Sequence, residues 1–247
     1  MKVKDRFLAY ISVERRLSAL TVETYAQTLK LFEDYLVTMP DPRTLETADG
    51  DNIRDWMGAL MEHGRSAVYV NRQLAALRTF YKFCYANGIV SSDPAHSITG
   101  PKKEKRLPRF LKETEMDRLV EILDEGEHNF DNVRARTIIY MFYLTGLRSA
   151  ELISLDDDMV DYVKREVKVT GKRNKQRLVP FGEELHKVLT EYISVRDANI
   201  VRHDNALFVS DKGGRLTYEQ VRKIVSDNLS LVTNMKKKSP HVLRHTF

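Results

Sequence analysis

The sequence predicts a mainly α-helical protein with a small β-hairpin, organised as a helical N-terminal domain and a mixed α/β C-terminal domain. Apolar residues recur at helical spacing in successive segments of the first hundred residues. After Glu166 the pattern changes to alternation: Val167 and Val169 flank Lys168, and Leu178–Val179 follow a turn-forming segment. A single short region with a period of two, inside a chain of helical period, predicts one hairpin packed among helices.

Composition restricts the possible classes of protein. The chain has 247 residues, of which 42% are hydrophobic and 30% charged, which suits one large or two ordinary folded domains. No stretch approaches the roughly 20 apolar residues of a membrane span, and we expect neither a signal peptide nor a membrane partner. The single cysteine, Cys84, precludes an internal disulfide and is typical of a reducing cytosol, so we expect a cytoplasmic protein. Its aromatic neighbours favour a place for Cys84 in the core over a reactive thiol.

The apolar periodicity and the turn residues predict the following elements. N-terminal helices are expected from Val3 to Leu17, from an N-cap at Thr21 to Pro40, from Asp51 or Asn52 to Gly64, and from Ser66 to about Gly88. C-terminal helices are expected over 112–123, 132–145, 183–198 and 217–229, with a short strand at Leu207–Val209. The corresponding domains are 1–99 and 112–247, joined by a basic linker over 100–111 that is rich in Gly, Pro, Lys and Arg.

The fourth helix carries two stripes. The first is apolar and faces the core, and the second is polar, basic and narrow, which suits either a solvated helix face or a helix in a DNA groove. The DNA-binding candidates on this helix are Asn71, Arg72, Arg78 and Lys82, with the small Ala75 between them.

Positive charge is also concentrated outside this helix. The chain has a net charge of +5, and basic residues cluster in the linker and at Lys236–Lys238. Each cluster is either a solvated run or a contact to the phosphates of a polyanion such as DNA. The linker candidates for DNA binding are Lys102, Lys103, Lys105 and Arg106.

Three motifs carry candidate chemistry. The first is Thr-Gly-Leu-Arg-Ser-Ala-Glu-Leu over 145–152, which contains Arg148 and Glu151. The second is Gly171–Lys172 in the hairpin turn. In the third, Ser-Pro-His-Val-Leu-Arg-His over 239–245, Ser239 is a suitable N-cap and Pro240 a suitable first helical residue. On that helix His241 and Arg244 share a face, and a proton-transfer group beside a guanidinium is typical of a phosphate-processing site.

In this order and spacing the three motifs, and the whole chain with them, resemble the tyrosine recombinases of the phage-integrase family, closest to the bacterial Xer type. The resemblance implies an N-terminal core-binding (SAM-like) domain and a catalytic domain. It also implies strand breakage and rejoining through a 3′-phosphotyrosyl intermediate, without cofactor or metal. Arg148 and Arg244 would stabilise charge on the phosphate, Lys172 would protonate the leaving 5′-oxygen, and His241 would assist proton transfer.

The supporting residues have alternative interpretations. Glu151 would orient the arginines by family analogy, or it is simply a carboxylate on a helix surface. His245 lies four residues after His241, a spacing that suits a pair of metal ligands, but no third ligand clusters with them and no metal is expected. Arg173 stands where the family often has glycine, and with Lys175 it would contact phosphate.

The chain departs from the family pattern in one respect. No tyrosine follows Arg244, and Tyr192 and Tyr218 precede it, so the sequence predicts a truncated recombinase that binds DNA without cleaving it. The expected partner is double-stranded DNA with inverted half-sites, bound by a homo- or heterotetramer when the protein is complete. A non-catalytic DNA-binding regulator of a recombination site is the alternative, and a type IB topoisomerase is disfavoured by the small helical N-terminal domain.

Overall fold

The structure, a computed structural model, describes residues 2–104, 110–171 and 175–246, of which residues 245 and 246 without their side chains. The chain divides into two compact units, Met1–Arg106 and Leu107–Phe247, and each unit has its own hydrophobic core. The fold is mainly α-helical with a small antiparallel sheet, as predicted. None of the described helices is both long and apolar enough to cross a membrane.

The N-terminal unit is helical throughout its regular structure. Its elements are α1 (Val3–Ala9), a π-helical turn (Tyr10–Glu14), α2 (Ala19–Val37), α3 (Gly50–Glu62) and α4 (Ala67–Ala86). Aromatic side chains fill the space between these helices. Phe7 packs edge-on against Phe80 with ring centroids 5.3 Å apart, and Phe32 lies 4.9 Å from Trp56. Such pairs contribute about 1 kcal/mol beyond their buried area.

Two predicted boundaries in this unit are wrong. The first helix does not continue to Leu17, because the α-helical pattern ends at Ala9 and Arg16 adopts a left-handed φ of 47°. The N-cap of α2 is Ser18 and not Thr21, since the Ser18 hydroxyl accepts a hydrogen bond from the Thr21 N–H at 3.3 Å. Either residue type suits a cap, so sequence alone does not distinguish between the two positions.

The C-terminal unit is built around one buried helix. Its helices are α5 (Glu113–Asp124), α6 (Phe130–Thr145), α7 (Ser149–Ile153), α8 (Glu183–Asn199), α9 (Tyr218–Leu229) and α10 (Pro240–Thr246). The central helix is α6, which packs against α5, α8, α9 and α10. Residues on every face of α6 are buried, including Val133, Ile138, Ile139 and Phe142. Residues 137–145 of α6 carry no charge on any face, and such a segment is stable only inside a core, which explains this position.

The sheet consists of β1 (Val160–Asp161), β2 (Glu166–Thr170) and β3 (Gln176–Pro180), antiparallel in that order. The predicted hairpin is present, with Lys168 opposite Leu178. The predicted strand at Leu207–Val209 is wrong, because only isolated bridges form there, between Asp156 and Ala206 and between Val209 and Arg215. A short buried apolar run does not by itself indicate a strand.

Candidate functional site

A sharp turn between two helices places Arg148. α6 ends at Thr145, and Gly146 caps it in the left-handed conformation with a φ of 60°, which favours glycine. Leu147 then inserts into the core, and Arg148 is the extended N-cap residue of α7. In the Thr-Gly-Leu-Arg motif, Thr145 and Gly146 therefore end one helix, Leu147 packs into the core and Arg148 begins the next helix. This arrangement leaves the Arg148 side chain 56% exposed.

Glu151 is buried beneath this turn. Its side chain is only 3% exposed, so the alternative of a surface carboxylate is wrong. One carboxylate oxygen accepts the Arg148 backbone N–H at 2.8 Å, and the other accepts the Arg148 guanidinium at 2.9 Å. Glu151 thus accepts hydrogen bonds from both the backbone and the side chain of Arg148 at the start of α7.

A second arginine, Arg177 of β3, reaches the same carboxylate. Its Nη1 and Nη2 donate to the two Glu151 oxygens at 2.8 and 3.0 Å, the two-pronged geometry that suits guanidinium and carboxylate. Burial acts to raise the pKa of Glu151, but the hydrogen bonds from Arg177 and Arg148 outweigh it and lower that pKa to about 2. The carboxylate is therefore ionised at neutral pH, between two cations.

The base of the hairpin turn also touches this cluster. The Gly171 N–H donates to the Lys175 carbonyl at 2.7 Å, which closes the turn. A Cβ on Gly171 would lie 3.4 Å from a Glu151 oxygen and 3.6 Å from Arg177, so the backbone packs against the ion pair. Lys175 is exposed. The predicted residues Lys172 and Arg173 lie between these two and outside the described residues.

The third motif is on α10. This helix packs against α6, the helix that precedes Arg148, and against α9. Val242 and Leu243 are buried, His241 is exposed and Arg244 is partly buried. α10 begins at Pro240, directly after Ser239, as predicted, but the Ser239 hydroxyl is buried without a hydrogen-bond partner among the described residues and so makes no capping hydrogen bond. The side chain of His245 lies outside the described residues.

Basic side chains surround His241. A surface cavity of about 430 Å³ adjoins it, and Arg222 and Lys236–Lys238 contribute to the lining. This positive charge is suited to an anionic ligand. Within the described ranges, no group of three or more His, Cys, Asp or Glu side chains is placed to hold a metal ion.

Some predicted DNA-binding residues of α4 are exposed, whereas Asn71 is engaged in hydrogen bonds within the protein. Arg72, Arg78 and Lys82 are exposed along one face, as the spacing predicts. The Asn71 amide, in contrast, donates both of its hydrogens to backbone carbonyls, Ala67 at 2.7 Å and Pro101 at 2.8 Å. Asn71 stays a predicted DNA contact, but these bonds leave its amide no donor for a base.

Arg78 and Gly100 also hold the segment around Ile98–Pro101 against α4, as Asn71 does. The Arg78 guanidinium donates to the Ile98 carbonyl. A Cβ on Gly100 would approach the Asn71 side-chain oxygen to 2.3 Å, so only glycine fits without a shift. Lys102 and Lys103 follow and are exposed, whereas Lys105 and Arg106 lie outside the described residues.

Family models match both parts of the chain. Residues 109–247 match the phage integrase family, and residues 5–88 match the phage integrase N-terminal SAM-like domain. A tyrosine recombinase XerC from Pelotomaculum thermopropionicum is 34% identical over 98% of this chain and 82% of its own length. A XerC from Corynebacterium glutamicum is 36% identical, covering 92% of this chain and 73% of the relative.

Solved structures have the same fold. The Tn1549 transposon integrase in complex with transposon right end DNA superposes with a TM-score of 0.79 at 16% identity, over 100% of this chain and 85% of the integrase chain. XerH bound to a palindromic difH substrate gives 0.77 at 20% identity, over 99% and 72%. At these identities the likeness shows the fold alone.

Proposed function

This chain belongs to the phage integrase family of tyrosine recombinases, and we propose that its two motif-bearing helices and the hairpin form the phosphate-binding site of a site-specific recombination reaction. The enzyme class is Xer-type recombinase, and the predicted substrate is double-stranded DNA. It would act in the cytoplasm on inverted half-sites, with four protomers of one or two kinds assembled on the DNA.

The chemistry follows from the charge that develops at phosphorus. A tyrosine hydroxyl attacks the backbone phosphate, the bond to the 5′-oxygen breaks, and a 3′-phosphotyrosyl bond forms. Arg148 and Arg244 stabilise the non-bridging oxygens, which a guanidinium does without a metal. Lys172 donates the proton that the 5′-oxygen needs in order to leave, and His241 assists proton transfer at the tyrosine.

The observation that carries this proposal is the Arg148–Glu151–Arg177 cluster. A buried, ionised carboxylate holds Arg148 by two hydrogen bonds, while most of the guanidinium remains exposed to a ligand. The same carboxylate lies against Gly171, the residue before Lys172. Arg148 and the residue that precedes the predicted general acid therefore both lie against one carboxylate, which supports the proposal.

We also propose that Tyr192 and Tyr218, which precede Arg244, do not serve as the nucleophile, so that a polypeptide limited to residues 1–247 should bind DNA without cutting it. Incubation with a nicked suicide substrate should give no covalent protein–DNA adduct on a denaturing gel. An adduct would show that another residue serves as nucleophile.

Binding selection tests the DNA-binding part of the proposal. Random duplexes retained by the chain are sequenced, and the expected result is a pair of inverted half-sites around a short spacer. Retention of duplexes without any common sequence would contradict a site-specific recombinase. Arg148→Ala and Arg244→Ala should retain the selected site but lose cleavage in a form that carries the tyrosine. Loss of binding with normal cleavage at saturating protein would refute the phosphate-clamp assignment.

A further inference from the structure

Arg177 has contacts that differ from those of the other basic residues near the hairpin turn. Both of its terminal nitrogens donate to Glu151, whose side chain is 3% exposed. Lys168 and Lys175, on the same hairpin, are exposed, and among the described residues neither forms an ion pair. The two terminal nitrogens of Arg177 that would bind a phosphate are therefore already engaged by Glu151, although 41% of the Arg177 side chain is exposed.

Three chain segments meet at this ion pair. Glu151 belongs to α7 and Arg177 to β3, while Gly171 directly follows β2, and a Cβ on Gly171 would lie 3.6 Å from the Arg177 guanidinium. Arg148 binds the same Glu151 oxygen as Arg177 does, at 2.9 Å. A displacement of Arg177 would therefore act on Arg148 and on the base of the turn that carries Lys172.

We propose that Arg177 is a positioning residue, which fixes the hairpin turn to Glu151 and so sets the place of the general acid relative to the Arg148 clamp. The proposal rests on the roles of Arg148 and Lys172 given above. It assigns Arg177 no contact with DNA, whereas Lys175 of the same hairpin is a predicted phosphate contact. Arg177 acts mainly on the proton-transfer step through Gly171, and to a smaller extent on the phosphate through Glu151.

The first test needs no DNA and uses the chain of residues 1–247. Amide hydrogen exchange reports the Gly171 N–H, and NMR reports the Arg148 side-chain Nε–H. Arg177→Ala should lower the protection of Gly171 roughly tenfold or more and shift the Arg148 signal, because both lose a fixed neighbour. Arg177→Lys keeps the charge but not the two-pronged geometry, and it should give an intermediate effect on both signals. This variant replaces Arg177→Ala in the test if the alanine variant folds poorly. Lys168→Ala removes a charge from the same sheet and should change neither signal.

The second test measures the leaving-group step in a form of the chain that includes the family's tyrosine. Arg177→Ala should slow cleavage of an ordinary suicide substrate on the order of a hundredfold, the usual effect of a misplaced catalytic group. A substrate with sulfur in place of the 5′-bridging oxygen needs no proton to leave, so it should recover most of this loss, as with Lys172→Ala. The Lys168→Ala variant should cleave both substrates at the unsubstituted rate.

The outcomes separate this inference from the proposed function. Unchanged Gly171 protection and Arg148 signal in Arg177→Ala would overturn the inference, as would equal slowing on both substrates. A direct phosphate contact by Arg177 would also overturn it, and would appear as a decrease of about one in the salt dependence of DNA binding. Absence of cleavage by the unsubstituted, tyrosine-bearing protein would refute the proposed function, while the DNA-free test would still decide the coupling.

Discussion

Replacement of Glu151 by glutamine tests whether the buried carboxylate, and not merely its shape, holds the candidate site together. Glutamine has nearly the same size but no negative charge, and its amide nitrogen is a donor that would face one of the two guanidinium groups. Glu151 accepts four hydrogen bonds, three of them from guanidinium nitrogens. The substitution should therefore destabilise the C-terminal unit at neutral pH.

The magnitude follows from the pKa of the carboxyl group. Its pKa falls from 4.5 to about 2 on folding, and each pKa unit corresponds to roughly 1.4 kcal/mol. The full effect is about 3 kcal/mol, reduced toward 2 because Arg148 and Arg177 are 56% and 41% exposed and water screens them. Because the folded pKa is the lower one, this stability is complete above about pH 4.5 and is lost as the pH falls toward 2.

The assay is urea unfolding between pH 7 and pH 3. Trp56 is the single tryptophan and lies in the N-terminal unit, so its fluorescence does not report on α7. Unfolding is followed instead by the NMR signals of Val167 and Val169, which are buried on β2. The free-energy difference between the unsubstituted chain and Glu151→Gln should be constant down to about pH 5 and should lose roughly two thirds of its value by pH 3.

A control variant separates the effect of the ion pairs with the arginines from the effect of capping a helix. Glu115 accepts the Lys112 backbone N–H at 3.0 Å at the start of α5, as Glu151 does for Arg148 at the start of α7. Glu115→Gln should keep the acid-dependent loss, since it leaves Glu151 intact. A difference between the unsubstituted chain and Glu151→Gln that does not change with pH would refute the reasoning, because the carboxylate would then contribute no charge-dependent stability.

The remaining predictions concern other parts of the molecule. Gly100→Ala should destabilise the N-terminal unit by about 1–3 kcal/mol in thermal unfolding, because its Cβ would displace the Asn71 side chain; Gly58→Ala, where a Cβ meets nothing within 4 Å, is the control and should not destabilise it. Cys84 should react with a thiol reagent at pH 8 only after unfolding, since burial raises the pKa of its thiol to about 12; fast labelling of the native chain would contradict this. Arg196→Lys should lower the melting temperature by several degrees, because Arg196 binds Asp157, Asp197 and the Leu207 carbonyl from a 1% exposed position, and an unchanged melting temperature would contradict it.

Much of the fold was predictable because local signals and tertiary packing agree. Ser66, Asn129 and Thr217 each cap the helix that follows, so α4, α6 and α9 begin within two residues of the predicted positions. The hairpin was predictable from alternation alone. The wrong prediction of a strand at Leu207–Val209 has a physical cause, because three consecutive apolar residues suit any buried backbone. Here the backbone N–H groups of Leu207 and Val209 donate to the Leu155 carbonyl and the Tyr192 hydroxyl instead of to a neighbouring strand.

The candidate site was only partly predictable. Arg148 and Glu151 belong to one short motif, and their spacing of three is compatible with the two hydrogen bonds from Arg148 to Glu151 that the structure shows. Arg177 had no such signal, since it is one of four basic residues around the turn and all four look alike in the sequence. Its partner lies 26 residues away, and only the register of β3 decides which of the four faces α7.

The two arginines that contact Glu151 differ in how many donors they keep for an anion. Arg148 uses one of its side-chain nitrogens on the carboxylate, so its other donors remain available for a phosphate among the contacts of the described residues. Arg177 commits both terminal nitrogens. At neutral pH two positive charges and one negative charge leave the cluster with a net charge of about +1, enough to attract a phosphate without the repulsion that two unpaired guanidinium groups would suffer. An apolar residue in place of Glu151 alone would leave both cations without a partner, and it would therefore destabilise the C-terminal unit as well as release Arg148. The carboxylate thus contributes both stability and the orientation that it imposes on Arg148.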